Sequence, residues 1–200
     1  MRFRVIFALA VALAALPAVA DTLYDNGPVN GTTDAWTINF GFIVSDQFTA
    51  NGTANGLTFA AWLFPGDVLQ TAEVSITSDE FGGTTFLDQV VSFTQSGCSG
   101  NQYGYNVCLE TGSFTDTSLS GSYWLNLQNA VVNTGDPVYW DENSGPASAS
   151  ENSIGTVPSE AFTVLGGTTT TTCCFPEPDI VTLLGSGLLG VACVRRFKLF

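Results

Sequence analysis

The chain predicts an all-β domain, an antiparallel β-sandwich of jelly-roll type, on three observations. The segment from Asp21 to Leu165 is rich in Thr, Val, Phe, Trp, Gly and Asn and poor in the Ala, Glu, Lys and Leu that fill helices. Short runs of strand-forming residues, some alternating apolar with polar, recur at close spacing and are divided by Gly, Pro and Asn clusters. No ten-residue helical pattern lies between them. The length suits one domain with a two-layer core, and 45% hydrophobic residues make disorder a poor description despite the charge. A β-helix would need a repeat of fixed period, and none is present.

In chain order, residues 1–20 place Arg2 and Arg4 before the apolar run Val5 to Leu16, and end in Ala18-Val19-Ala20. This is the pattern of a secretory signal peptide, expected as a short helix and removed before Asp21. The clearest period-two segment follows at Trp36 to Val44, where Trp36, Ile38, Phe40, Phe42 and Val44 share a face that should be core. Further strands are expected at Leu57 to Phe64, Glu73 to Thr77, Thr85 to Thr94, Tyr105 to Glu110, Ser122 to Asn129, Val138 to Asp141 and Glu160 to Leu165. Turns are expected at Asn51-Gly52, Asn55-Gly56, Pro65-Gly66-Asp67, Gly82-Gly83, Asn133 to Pro137 and Asn143 to Pro146. The domain thus spans 21–165. Residues 166–174, with Gly166-Gly167 and Thr168 to Thr172, read as a polar spacer.

Residues 175–200 have three parts. Pro176-Glu177-Pro178 is stiff and non-helical. The apolar run Ile180 to Val194 is a single hydrophobic helix of transmembrane-like character, though shorter than the roughly 20 residues that usually span a bilayer. Arg195, Arg196 and Lys198 close it with the basic cluster that stays cytoplasmic under the positive-inside rule. With Leu183-Leu184-Gly185-Ser186-Gly187-Leu188-Leu189-Gly190 between the triplet and the arginines, the tail resembles the PEP-CTERM sorting tail of bacterial surface proteins. The resemblance implies transient membrane anchoring, recognition by an exosortase-type membrane protease, cleavage near the triplet, and release or transfer to the cell surface or extracellular matrix. Cys193 inside the helix and Phe197 to Phe200 beyond the arginines depart from that pattern.

Formal net charge is −13, and the five basic residues are Arg2, Arg4, Arg195, Arg196 and Lys198, all in the terminal segments. The domain between them has no Lys, Arg or His. Such a surface repels phosphates, which excludes nucleic acid as a partner. It also lacks a base for a serine or cysteine nucleophile, a Schiff-base amine, an imidazole ligand and a phosphate clamp. Carboxylate chemistry is what remains, as acid and base pairs or as ligands of hard cations.

Cys98 and Cys108 flank the Gly- and Asn-rich segment Ser99 to Val107, which suits a disulfide-closed hairpin in an oxidising compartment. A zinc site is the competing reading, but two thiols without histidine fall short of four ligands. Cys173 and Cys174 lie in the spacer, where they suit pairing with another chain better than with each other.

Two binding sites are candidates. Asp136, Asp141, Glu142 and Asn143 offer the loop oxygens that calcium takes, with Asp25, Asn26 or Asp34 joining if the terminal strands pair. The alternative is a set of solvated turn residues. On the strand Ser122 to Asn129, Tyr123, Leu125 and Leu127 should face the core, leaving Trp124, Asn126 and Gln128 outward as an indole beside two amides. That combination can stack on and hydrogen-bond to a sugar. The competing reading is that a second layer covers this face. The segment Gly121 to Ala130 with Pro137 to Gly145 also resembles a stretch recurrent in PEP-CTERM ectodomains, for which no enzymatic activity is implied.

The leading expectation is therefore a non-enzymatic secreted or cell-surface protein, processed by an exosortase and associated with exopolysaccharide or envelope matrix. A carbohydrate-binding module with one defined sugar site is the alternative. A carboxylate-based glycoside hydrolase ranks below both, because the adjacent Asp141 and Glu142 would point to opposite faces of a strand.

Overall fold

Thr, Val and aromatic residues at alternate positions favour extended backbone, whose inward side chains must find a second layer to bury them. The computed structural model describes residues 21–167. Its strands are β1 Asp21–Asp25, β2 Ala35–Thr37, β3 Ile43–Leu63, β4 Leu69–Asp79, β5 Gly82–Gly100, β6 Asn106–Val132, β7 Tyr139–Asp141, β8 Ala149–Glu151, β9 Gly155–Val157 and β10 Phe162–Gly167. All pair antiparallel, and no helix occurs among the described residues. The two expected helices lie outside them, as do Pro176, Glu177, Pro178, Arg195 and Arg196.

The strand order is β1-β10-β3-β6-β4-β5, with β2 on β7, β7 and β8 also on β3, and β9 on β8. Strand β6 is long enough to serve two partners on one edge. Its first part pairs with β5 and its last part with β4, while β4 and β5 pair with each other. The sheet thereby curls into a sandwich-like all-β fold around one core that includes Phe48, Phe59, Leu125, Leu127, Trp140 and Phe162. The paired strands β5 and β6 crowd at Gly112, where a Cβ would stand 2.6 Å from the Val91 side chain.

Three expectations about elements are corrected. The run Trp36 to Val44 is not one strand: the chain turns at Asn39 to Phe42, closed by the Phe42 N–H donating to the Asn39 carbonyl at 3.1 Å. Gly41 takes φ +91 in that turn, a conformation glycine adopts without steric cost. Phe40 and Phe42 are consequently exposed, not core. Second, Asn51-Gly52 and Asn55-Gly56 are not turns but lie within β3. Ala50, Gly52, Ala54 and Gly56 fall on its buried face, and their small size lets neighbouring strands approach, as at Gly56, where a Cβ would touch Leu165. Third, Tyr105 to Glu110 and Ser122 to Asn129 belong largely to one strand, β6. The Thr- and Ser-rich middle stays extended because Gly112, Phe114, Thr117 and Leu119 are buried against the core. The alternation resets between Phe114 and Thr117, where the β3–β6 register shifts, as a β-bulge requires.

Cys98 and Cys108 are joined in a disulfide that closes the turn between β5 and β6. Alkylation of the native protein without reduction should label neither thiol. The Cys98→Ser, Cys108→Ser double variant should lose about 2 to 3 kcal/mol in denaturant unfolding, the chain-entropy value for a loop of this size. An unchanged unfolding midpoint would show that the turn is held by other means.

Candidate functional site

Alternation on β6 places Tyr123, Leu125 and Leu127 in the core, with Trp124 and Gln128 half-buried. Asn126 does not join them on an outer face, which corrects the expected sugar platform. It is 2% exposed, because the β4–β5 hairpin folds across it. Its Nδ2 donates to Thr77 Oγ1 at 2.9 Å and Ser75 Oγ at 3.2 Å, and its Oδ1 accepts from the Phe81 N–H at 3.1 Å. Gln128 Nε2 donates to Glu73 Oε1 at 2.8 Å. Both amides are thus committed to β4 and its turn, and they brace the β4–β6 pairing.

Of the four expected calcium ligands, Asp141, Glu142 and Asn143 have side chains engaged by protein partners. Asp136 stands before β7 and Asp141 at its far end; the Asp136 main-chain oxygen accepts from Asn39 Nδ2. Asp141 is fully buried. Its Oδ2 accepts from the Asn30 N–H at 2.7 Å, and its Oδ1 from the Gly31 N–H at 2.8 Å and Trp62 Nε1 at 2.6 Å. Glu142 accepts from Trp36 Nε1 at 3.1 Å. Asn143 Nδ2 donates to the carbonyls of Asn26 and Pro28. Asp141, Glu142 and Asn143 therefore serve as braces that hold the segment Asn26 to Asp34 against β7. Among the described residues no three acidic or thiol side chains converge as metal ligands.

Sequence reasoning missed three interior carboxyls, Asp46, Glu110 and Glu160, each with no solvent exposure. Period-two parity was the available signal. Asp46 lies between Val44 and Phe48 on the inner face of β3, Glu160 shares parity with Phe162 and Val164, and Glu110 shares parity with Cys108. Asp46 Oδ2 accepts from Asn26 Nδ2 at 2.9 Å, Ser159 Oγ at 3.3 Å and the Glu160 N–H at 2.7 Å. The carboxyl oxygens of Glu110 and Glu160 have no protein partner.

Burial disfavours a charge there, and the domain has no cation to compensate it. Desolvation pushes Asp46 up to about 7 and Glu110 up to about 8. Glu160 is pushed well above the usual carboxylate range by desolvation first and then by the charges of Asp46, Glu142, Asp141 and Asp34. A raised carboxyl suits a general acid, but these three contact protein on every side.

The open concavities lie elsewhere. One, of about 600 Å³, runs along β5 and β6 between Gln89, Ser92, Thr94, Ser96, Thr111 and Ser113. Hydroxyls, an amide and the side chains of Val90 and Val91 line it, and no titratable side chain does. A smaller one, about 110 Å³, is lined by Asp34, Ala35, Trp62, Tyr105 and Tyr139. Its aromatic residues belong to a larger cluster organised by the disulfide-closed turn. In that turn Asn101 Oδ1 accepts from the N–H groups of Tyr103 and Tyr105. Tyr103 stacks on Trp62 with centroids 5.7 Å apart and planes at 22°, and its hydroxyl donates to the Thr32 carbonyl at 3.3 Å. Neither protein-family models nor curated proteins match the chain.

Stability should fall with rising pH. The native state keeps protons on Asp46, Glu110 and Glu160 that the unfolded chain releases near pH 4, so it is favoured below that range. The loss accrues from about pH 4 through about 7 for Asp46 and about 8 for Glu110. The thermal midpoint should therefore drop between pH 5 and pH 8, and Glu110→Gln, which mimics the neutral acid, should flatten that drop. A midpoint that climbs over the same interval would show that these groups fold ionised.

Proposed function

We propose that this is a non-enzymatic, secreted surface protein of the PEP-CTERM type, released from a membrane-held precursor by an exosortase and retained in exopolysaccharide or envelope matrix by its β domain. The observation that carries the reading is the chemistry of the accessible concavities. The groove along β5 and β6 presents hydroxyls, an amide and two valines, and the aromatic cavity adds ring surfaces and the Asp34 carboxylate, on a domain without a single Lys, Arg or His. Such a surface is matched to uncharged polyols and repels phosphorylated or strongly anionic ligands. The disulfide-closed turn is consistent with an oxidising compartment.

Within this reading the fold is a jelly roll. First and last strands lie side by side, β3 and β6 extend that sheet, and β2 pairs with β7, an order in keeping with double-sheet closure. The terminal segments supply the signal and the sorting helix.

The carbohydrate-binding alternative, with one defined sugar site, draws on the groove along β5 and β6. Its volume of about 600 Å³ is suited to an oligosaccharide, and Gln89, Thr94 and Thr111 would hydrogen-bond to it.

Mass spectrometry of protein recovered from its host should find a mature N-terminus at Asp21 and no residues of the 180–194 helix. Alanines in place of Pro176, Glu177 and Pro178 should leave the chain in the membrane fraction. Surface material still carrying Arg195 and Arg196 would refute the processing scheme. The mature protein should be retained on the host's own exopolysaccharide, and a Gln89→Ala, Thr94→Ala, Thr111→Ala variant should elute earlier if the groove is the sugar site. Passage of the native protein without retention would remove the matrix role.

A further inference from the structure

We propose that the cavity bounded by Trp62, Tyr105, Tyr139 and Asp34 is a binding site for an organic ammonium group, either a quaternary ammonium or the protonated amine of an amino sugar. The site is independent of the groove assigned above to neutral glycan.

Three aromatic rings reach the cavity from separate elements. Trp62 on β3 is the register partner of Tyr139 on β7, and Tyr105 comes from the disulfide-closed turn. The rings stand as walls, not as one stack. Tyr105 and Tyr139 have centroids 5.5 Å apart and planes at 74°, and Trp62 and Tyr105 are 5.9 Å apart at 39°. Rings set at angles line the cavity from different directions, and a cation is drawn to the negative face of each ring that it meets.

Two carboxylates strengthen that preference. Asp34 lines the cavity and is exposed; the partner it has among the described residues is the Ala35 N–H, on Oδ1. Asp141 lies behind the indole and accepts its Nε1–H at 2.6 Å. Donation to a carboxylate draws electron density into the ring and makes its face a better partner for a cation. Tyr103, stacked on Trp62, fixes the plane of the indole.

The Tyr139 phenol adds no charge of its own, since desolvation and the neighbouring Tyr105 hydroxyl push it up to about 12. Size selects the occupant further. At about 110 Å³ the cavity is well below the roughly 300 Å³ at which pockets for whole drug-sized ligands begin, so it admits a head group and leaves the rest of the molecule outside. No Lys, Arg or His of the domain is present to occupy it instead.

The test is titration of the mature secreted protein, followed by tryptophan fluorescence and by calorimetry, with choline, its neutral isostere 3,3-dimethylbutan-1-ol, glucosamine and glucose. Choline or glucosamine should saturate the site, and the tighter of the two identifies quaternary or amino-sugar ammonium as the ligand. The neutral counterpart of each should bind about tenfold more weakly or not at all. Asp34→Asn should weaken the cation about tenfold without changing the thermal midpoint, and Tyr105→Leu should abolish binding of every probe. If the isostere matches choline while glucose matches glucosamine, the cage is merely apolar and the proposal fails. It fails equally if no ammonium compound binds, or if binding survives in both variants.

Discussion

The antiparallel pairing of β3 with β6 is the interaction on which the rest of this structure depends. It runs from Ile43 opposite Gln128 to Leu63 opposite Asn106, with one register shift beside Gly56. Every other part of the sheet attaches to one of these two strands directly or through one neighbour. β10, β7 and β8 pair with β3, β4 and β5 share the outer edge of β6, and β1, β2 and β9 follow on their partners. A pairing this long between strands distant in sequence carries a large loop-closure cost before its contacts form. The inner face of the pair repays it with Val44, Phe48, Leu57, Phe59, Leu125 and Leu127, all essentially inaccessible to solvent.

The same inner face carries the least ordinary chemistry of the molecule. Asp46 and Glu110 occupy positions that alternation reserves for apolar side chains, and Glu160 meets Asp46 from the segment before β10. A protein with arginine or lysine in its domain could neutralise such groups by pairing; this one has neither. Protonation takes the place of ion pairing. The interior can then be polar without being charged, and the pH of the surroundings enters the stability of the fold directly.

Asp141 links the core to the outer face. It accepts three hydrogen bonds, two from the backbone of Asn30 and Gly31 and one from Trp62. The loop after β1 is thereby tied to the strand that carries the aromatic cluster. The disulfide-closed turn completes the cluster from the other side by presenting Tyr103 and Tyr105. A residue that offers itself in sequence as a metal ligand is in the folded chain a structural acceptor that holds an aromatic cavity in shape.

Composition and patterning by themselves determined the all-β class, the Cys98–Cys108 pairing and the inward side of Tyr123, Leu125 and Leu127, because these rest on local period and spacing. The chemistry that the domain lacks was legible too, since a missing Lys, Arg or His needs no fold to be noticed. Tertiary structure alone decided that Asn-Gly pairs lie within β3 and that Phe40 and Gly41 form a turn between β2 and β3. The physical reason is that a small residue reads alike as a turn or as room for a neighbouring strand until that neighbour is known. It likewise decided that Asn126 is spent on Thr77 and Phe81, because burial of an outward face depends on whether a distant hairpin covers it. Trp62, Tyr105, Tyr139 and Asp34 share no local pattern, and only the pairing of β3 with β7 and the closure of the Cys98–Cys108 turn bring them to one cavity.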